Sequence, residues 1–436
     1  MTGLGQIAAH KGRQALKSLP ALILVAGTCA LLPMGTVAAN ASPMHAHHTL
    51  TVATSGSDHG NCQSSPCKTL GFALTQASPN DTIVIGPGTY RESGNANVVP
   101  PGLKGLRIRS TGSAARTVIN AAGNANGILI QASGVSVTGL TVKNAQLEGI
   151  LAEPPLNSWP NPKDPTAPPA KISHVTIAGN VVVQNDKAFD TSLPPMMACP
   201  KSLTDADDCG EGIHLIAASW SRVVGNQVSR NVGGILLSDG GFGISVGPAA
   251  HNLIAFNRST NNAFDCGVTL PGHDPRAVAT TGPHAGQPQP NLAGVYDNRV
   301  IGNVSSRNGA AGLLDAAPYP GAASYDNLFA GNTANGNGNS GFVLHSHAPL
   351  QDVSGIVVVG NRFGQNNLAG DPDTGVTPTT GVMLLSVAVP TSIVVAGNKI
   401  SNNVNGIAFN RKLTVVGHNR FVNVTHRHFL YVPPPP

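Results

Sequence analysis

The sequence predicts an all-β solenoid, a fold made of successive coils of short strands. Pairs of asparagines five residues apart recur along the chain, each followed by glycine and a short apolar stretch. The pairs are Asn180/Asn185, Asn226/Asn231, Asn257/Asn262, Asn303/Asn308, Asn332/Asn337, Asn361/Asn366 and Asn398/Asn403. The spacing within a pair is fixed, whereas successive pairs lie 29 to 46 residues apart. This is typical of a rigid coil that carries loops of different length.

The apolar residues indicate strands rather than helices. They form short alternating runs after glycine, as in the segments that begin at Gly234, Gly267, Gly341 and Gly406. No stretch of the repeats keeps a 3.6-residue period over three turns. Asparagine and glycine suit left-handed turns between strands, and asparagines of successive coils can stack in a hydrogen-bonded ladder. Each repeat is therefore predicted to be one β-coil with the asparagine pair at its corners.

These repeats, with Gly-Asn, a second Asn and then Gly-Ile-x-Leu, resemble those of right-handed parallel β-helix proteins, the pectin lyase-like superfamily. The segments Val52–Asp58 and Asp81–Glu92 resemble the first coils of secreted bacterial members. The resemblance covers Val52 to Val424 and implies a single-stranded right-handed parallel β-helix. It implies no single activity, because this superfamily includes lyases, hydrolases, epimerases and proteins without a known reaction.

The N-terminal region has the features of a secretory signal. Residues 1–41 contain three basic residues, an apolar stretch at 21–32 and an Ala-Asn-Ala cleavage site ending at Ala41. We expect a signal peptide at 1–41, a flexible His-containing linker at 42–51, the β-helix domain at 52–425 and a C-terminal tail at 426–436. The chain is then secreted or held in the cell envelope, without a membrane span once the signal is removed. The alternative is an uncleaved anchor.

Composition argues against a nucleic-acid partner. The formal net charge is +5, and removal of Lys11, Arg13 and Lys17 with the signal leaves +2. Aromatic residues make up only 4% of the chain, and they are not interleaved with basic residues as base stacking requires. An extracellular polysaccharide is the expected partner, and the low charge permits neutral and acidic glycans alike.

Cysteine spacing permits two local disulfides. Cys62 and Cys67 flank a short loop, and Cys199 and Cys209 bracket an insertion, while Cys209–Cys266 is a competing pair. Between Cys67 and Asn80, apolar residues at helical spacing predict a short amphipathic helix that caps the open end of the first coil.

Loops between strands are where function is expected in a solenoid, because its interior is filled. Aligning the repeats on the glycine that begins the second strand places six acidic and histidine residues near the strand ends: Asp239, His273, Asp274, Asp315, His345 and His347. Stacked strands would bring them together as a catalytic acid and base, or as ligands for a divalent cation. The alternative is a solvated strand exit, where aspartate and serine are ordinary turn residues.

An acidic insertion is the candidate metal site. Asp205, Asp207 and Asp208 offer three carboxylates within four residues, which could bind calcium. The resemblance supports this expectation, because uronate-cleaving enzymes of this fold often use calcium. The pair Asp371 and Asp373 is a weaker candidate.

Polygalacturonase chemistry is not expected. Asp207-Asp208 and the later Gly241-Phe242-Gly243 are similar to the paired aspartates and Gly-His-Gly segment of pectin hydrolases of this fold. Phenylalanine replaces the histidine, however, and neither Asn-Thr-Asp nor Arg-Ile-Lys accompanies it. The set of catalytic acids and substrate-binding cation is therefore incomplete.

Two classes of function remain. The first is a secreted protein that binds an extended polysaccharide and modifies it as a lyase, hydrolase or epimerase. The second is a non-catalytic surface β-helix used for adhesion or glycan binding. Convergence of His273, Asp315, His345 and His347 on one cleft would favour the first class.

Overall fold

The chain coils through short parallel strands that stack on their equivalents in the next coil. The computed structural model describes residues 47–92, 94, 97–161, 164, 166–190, 192, 210–388, 392–411 and 415–432. The predicted signal peptide, Cys199, Cys209, Asp205, Asp207 and Asp208 lie outside these residues. Within them, no helix is long and apolar enough to cross a membrane.

The first coils contain strands β1 to β13 and one α-helix, α1 (Leu70–Gln76). The strands are β1 (Thr49–Val52), β2 (Thr82–Ile85), β3 (Gly88–Arg91), β4 (Val98–Val99), β5 (Arg107–Ser110), β6 (Thr117–Asn120), β7 (Ile128–Ile130), β8 (Ser136–Thr138), β9 (Thr141–Lys143), β10 (Ile150–Ala152), β11 (Ile172–Ser173), β12 (Thr176–Ala178) and β13 (Val181–Val183). Short 3-10 helices lie at Ala114–Arg116 and Leu156–Ser158.

The central coils follow the same order with longer connecting loops. Their strands are β14 (Glu211–Ile216), β15 (Ala218–Ser219), β16 (Arg222–Val224), β17 (Gln227–Ser229), β18 (Gly233–Ser238), β19 (Ala249–Ala250), β20 (Leu253–Ala255), β21 (Arg258–Thr260), β22 (Val268–Pro271), β23 (Val295–Tyr296), β24 (Arg299–Ile301), β25 (Val304–Ser306) and β26 (Leu313–Ala317).

The last coils end in two long strands. The strands are β27 (Ser324–Tyr325), β28 (Leu328–Ala330), β29 (Thr333–Asn335), β30 (Phe342–Ser346), β31 (Ile356–Val359), β32 (Arg362–Phe363), β33 (Thr380–Ser386), β34 (Ile393–Ala396), β35 (Lys399–Phe409), β36 (Val415–Val416) and β37 (Arg420–Leu430).

The strands form three long parallel series. Sheet 1 has the order β1-β2-β5-β8-β12-β16-β20-β24-β28-β31-β34-β36. Sheet 2 runs from β3 through β6, β9, β13, β17, β21, β25 and β29 to β32, and sheet 3 from β4 through β7, β10, β14, β18, β22, β26 and β30 to β33. The last strands of sheets 2 and 3, β32 and β33, both pair with the long strand β35, which in turn pairs with β37. Twelve stacked strands in sheet 1 give a length of about 50 Å. The predicted parallel β-helix is confirmed.

Asparagine ladders hold the corners of the coils, as the paired spacing predicted. Asn303 lies between sheets 1 and 2, where its Nδ2 donates to Asn332 Oδ1 at 3.0 Å and to the Ile254 carbonyl at 2.9 Å. Its Oδ1 accepts from the backbone N–H and Nδ2 of Asn257. Gly302, just before it, has φ +66°, a left-handed conformation that glycine adopts without strain. This explains the recurring Gly-Asn pair.

Replacing Asn303 by alanine is expected to lower the free energy of unfolding by about 2–3 kcal/mol, because it leaves buried groups of Asn257 and Ile254 without partners. Urea denaturation measures this loss. Asn335→Ala is the control, since Asn335 is exposed and its truncation should cost about 0.5 kcal/mol or less. Equal losses in both variants would show that the ladder contributes nothing beyond an ordinary surface amide.

The N-terminal cap is confirmed as helix α1. Thr69 caps it by accepting a hydrogen bond from the Phe72 N–H, and Leu70 and Leu74 are buried against the first coil. The buried Glu92 carboxylate accepts the N–H groups of Leu70 and Gly71, both at 2.6 Å. A carboxylate suits this position because the first N–H groups of a helix have no partner within the helix.

The described strands extend a few residues beyond both predicted boundaries of the β-helix. Strand β1 begins at Thr49, inside the predicted linker, because Thr49 already pairs with Thr82. Strand β37 continues to Leu430, inside the predicted tail, because its backbone pairs with β35 as far as Phe409. This last strand was not predicted in full, because it is largely exposed at the end of the stack and many of its side chains are polar.

The disulfide predicted between Cys62 and Cys67 is present. Cys266 is buried and forms no disulfide with another described cysteine. Burial raises the pKa of its thiol well above the ordinary value, so Cys266 is a poor nucleophile.

Candidate functional site

A groove lies on the outer face of sheet 3, over strands β18, β22, β26 and β30. Its cavity volume is about 340 Å³. Leu236, Thr269 and Leu314 form its floor, and they occupy one register position in three successive coils. The alternation of a β-strand turns these side chains outward while their neighbours fill the core. The groove is therefore a product of the coil itself, and the loops only add its walls.

The walls include aromatic side chains from the loops between strands. At one end, Phe189 and Phe264 meet edge to face with ring centroids 5.4 Å apart. At the other end, Phe242 packs on the His273 ring at 4.3 Å, and Pro318 lies beside them. The loops that follow β18, β22 and β26 thus build a shared rim.

His345 and His347 line the carboxyl-terminal end of the groove. They alternate on and just after β30, and their ring centroids are 5.1 Å apart. His345 places Nε2 3.3 Å from Asp371 Oδ2 and Nδ1 3.1 Å from Asp373 Oδ2. The loop holds Asp371 in place because its Oδ1 accepts the N–H groups of Asp373 and Thr374. The sequence suggested both aspartates only as weak cation ligands, and their pairing with His345 was missed.

The two histidines have pKa values that are shifted in opposite directions. For His345, burial lowers the pKa, but hydrogen bonds and charges from Asp371 and Asp373 outweigh it and raise the pKa to about 9. For His347, burial and the adjacent charge of His345 lower the pKa. The hydrogen bond from His345 lowers the pKa of Asp373. At neutral pH the site therefore holds an imidazolium, a neutral imidazole and an exposed carboxylate.

Asp274 belongs to a buried ion pair that ties three insertions together. Its carboxylate accepts from Arg276 Nη2 at 2.8 Å and from Nε at 3.0 Å. It also accepts from Ser245 Oγ and the Val246 N–H in the preceding insertion. Arg276 Nη1 donates to the Ala167 carbonyl in a third loop. Asp274 does not line the groove, so its placement indicates a structural role.

Asp239 is likewise fully buried. Its carboxylate accepts the N–H groups of His273, Asp274 and Gly294. Burial and the nearby Asp274 charge raise its pKa to about 8, although the three donors favour the ionised form. Asp239 positions the His273 segment without reaching the groove. His273 does line it, and burial lowers its pKa to about 4, so it is neutral at physiological pH.

Asp315 does not converge with the histidines as expected. It pairs in register with Leu344, whereas His345 pairs with Ala316. A one-residue offset turns a side chain to the opposite face of a strand. Asp315 therefore points into the coil, where Asn327 Nδ2 donates to its Oδ2 at 3.0 Å. Burial raises its pKa well above the ordinary value.

A second polar cluster lies at the amino-terminal end of sheet 3, and the alignment on glycine did not predict it. Glu148, Glu211 and His214 are buried there, with candidate ligand atoms within 4.8 Å of one another. Glu211 also lines the groove, as does the half-buried Asp265. The sequence feature that could have predicted this cluster is the position of His214, two residues after the aligned Gly212. His345, His347 and Asp373 form the other described set with metal-ligand spacing.

No protein-family model and no curated protein sequence matches the chain. Among solved structures, it is similar to a lacto-N-biosidase from Eubacterium ramulus, with 11% identity, a TM-score of 0.52, and coverage of 88% of this chain and 68% of that one. The mannuronan C-5 epimerase A-module of Azotobacter vinelandii gives 15% identity, a TM-score of 0.48, and coverage of 81% and 89%. An alginate lyase from Paenibacillus gives 13% identity, a TM-score of 0.41, and coverage of 89% and 99%. The chain is a parallel β-helix protein.

Proposed function

We propose that the chain binds an extracellular polysaccharide in the groove over β18, β22, β26 and β30 and cleaves it by proton transfer at His345 and His347. The observation that carries this proposal is an open groove with aromatic walls that ends at two histidines with oppositely shifted pKa values. Sugar rings present apolar C–H faces and polar edges, so an apolar groove with few polar groups suits them.

The charge of the groove favours a neutral glycan. None of the described residues that line it is lysine or arginine, whereas Glu211 and Asp265 contribute carboxylates. The His345 cation is already paired with Asp371 and Asp373. A polyanion would find no lysine or arginine among these lining residues to bind its charges, and a neutral chain needs none.

The histidine pair can divide acid and base roles. When the environments of two neighbouring titratable groups shift their pKa values apart, one group usually acts as the general acid and the other as the general base. His345, protonated at neutral pH, is the proton donor to the leaving oxygen through Nδ1, which becomes available when the glycan displaces the partly exposed Asp373 carboxylate. His347, neutral and 34% exposed, is the acceptor that activates water. Asp371 and Asp373 keep His345 charged and oriented.

This assignment predicts a bell-shaped dependence of kcat/KM on pH. On the acid side, activity should fall when His347 becomes protonated, below the ordinary histidine value of 6.5 because its pKa is lowered. On the alkaline side, activity should fall near pH 9, where His345 loses its proton. Initial rates at low substrate concentration measure both limbs. A profile that rises steadily from pH 6 to 10 would contradict the assignment of His345 as the acid.

An activity screen on neutral and uronate-containing polysaccharides, with calcium and with chelator, tests the function. Reducing ends and the ultraviolet absorbance of unsaturated sugar are followed in the same samples. We expect reducing ends from a neutral polysaccharide without unsaturated product. Unsaturated product from a uronate polymer would instead indicate a lyase and contradict the choice of a neutral substrate.

A second candidate function is glycan binding without a reaction. It is favoured by the placement of Asp239, Asp274 and Asp315, three of the six predicted catalytic residues, in buried hydrogen-bond networks outside the groove. Retention of a polysaccharide by the protein, with no product in the screen, would support this alternative.

A further inference from the structure

We propose that Glu148, Glu211 and His214 form a binding site for a divalent transition-metal ion such as Zn²⁺, at the amino-terminal end of the groove. The site is separate from the histidine pair and does not depend on the proposed catalytic reaction. It lies on the outer face of sheet 3, where Ile150 in β10 pairs with Ile213 in β14. This register brings Glu148 and Glu211 together from successive coils.

His214 is oriented as a metal ligand. It is fully buried, and its Nε2 lies 3.0 Å from Ser238 Oγ. A histidine that binds a metal through one ring nitrogen usually uses the other in such a contact, which fixes the ring. The remaining nitrogen, Nδ1, faces Glu148 and makes no hydrogen bond within the described part of the chain.

The distance from His214 Nδ1 to Glu148 Oε1 suits a bridging ion. It is 3.7 Å, which is too long for a hydrogen bond. Two metal–ligand bonds of about 2.1 Å span this distance at an open angle. All three donor atoms lie within 4.8 Å of one another, so a small movement of one carboxylate completes the set. The geometry thus fits an ion between the groups better than a direct contact.

The donor types and charge indicate the class of metal. One imidazole nitrogen and two carboxylates are ligands that Zn²⁺ uses, whereas calcium takes oxygen ligands alone. A third acid, Asp186, is buried nearby, and its charge interacts with Glu148. A cation among these groups would reduce the repulsion between the buried carboxylates. Because Glu211 also lines the groove, the ion would lie beside the proposed glycan.

Metal content and thermal unfolding of the full chain test the site. The protein is stripped with chelator and dialysed against ZnCl₂, and bound zinc is then measured by mass spectrometry. We expect one equivalent assigned to this site and a melting temperature that rises with zinc concentration, because a ligand of the native state stabilises it. His214→Gln should lose this equivalent and its thermal response, while the exposed His284→Gln control keeps both.

Three further variants separate this site from the other candidates. His347→Gln and the double variant Asp207→Asn/Asp208→Asn should retain the equivalent. Ser238→Ala removes only the partner of His214 Nε2 and should weaken zinc binding about 10- to 100-fold. This variant tests the proposal even if His214→Gln does not fold. Absence of bound zinc in the wild type, an unchanged equivalent in His214→Gln, or unchanged affinity in Ser238→Ala would overturn the proposal.

Discussion

Asp274→Ala is expected to lower the free energy of unfolding by about 3–5 kcal/mol, the largest stability loss that we anticipate from a single substitution. The reason is that Arg276 would stay buried with an uncompensated charge. The Ser245 hydroxyl and the Val246 N–H would also lose their acceptor. Denaturation in urea, followed by circular dichroism, measures the loss.

The control for this experiment is Asp190→Ala. Asp190 is exposed, and its described hydrogen bonds join only Ser192. Its removal should cost about 0.5 kcal/mol or less. If Asp274→Ala cost no more than this control, the buried ion pair would not hold the insertions together.

His347→Gln is expected to reduce turnover on the cleaved glycan by about 10²- to 10⁴-fold, the usual contribution of a general base. Its melting temperature should stay close to that of the wild type, because His347 is partly exposed and its charged contact, Asp373, is exposed as well. His345→Gln is a less selective change, since it would also leave the buried Asp371 without its cationic partner.

The matched control for His347→Gln is His284→Gln, at an exposed loop position whose ring contacts Gln287. This variant should keep wild-type turnover. Full activity in both variants would exclude His347 as the base and would place the reaction on other residues.

The fold was predictable because its determinants are local and repeated. Each coil needs a left-handed corner and an amide for the ladder, so the chain repeats Gly-Asn where Asn303 and Asn332 stack. The helix over the first coil was predictable from a different local pattern, the helical spacing of the apolar residues between Cys67 and Asn80. The Gly-Asn repeat has no bearing on that segment. It did not predict that β37 reaches Leu430, because the end of a stack need not alternate apolar and polar residues.

The site was only partly predictable, for reasons of register. Alignment on glycine brought His345 near Asp315, yet the two differ by one position along their strands and face opposite sides. The pairing of His345 with Asp371 depends on the fold of a loop, which spacing does not specify. His214 and Glu148 are 66 residues apart in sequence. They become neighbours only through the register of β10 with β14, which the sequence pattern does not specify.

The exterior also carries a second aromatic surface that could compete for glycans. Trp220 is 57% exposed and stacks on His251 with ring centroids 4.2 Å apart. Tyr296 continues this row along the coils. None of these three residues lines the groove. A test of the central claim therefore has to separate the two surfaces.

Affinity electrophoresis in gels cast with neutral polysaccharides tests that claim most directly. Ala310 lines the groove beside Asp265, so Ala310→Trp should fill the groove, and Ala310→Ser is the matched control. We expect the polysaccharide that retards the wild type to retard Ala310→Ser and Trp220→Ala equally, and to leave Ala310→Trp unretarded. Full retardation of Ala310→Trp, or loss of retardation in Trp220→Ala alone, would show that the glycan binds elsewhere.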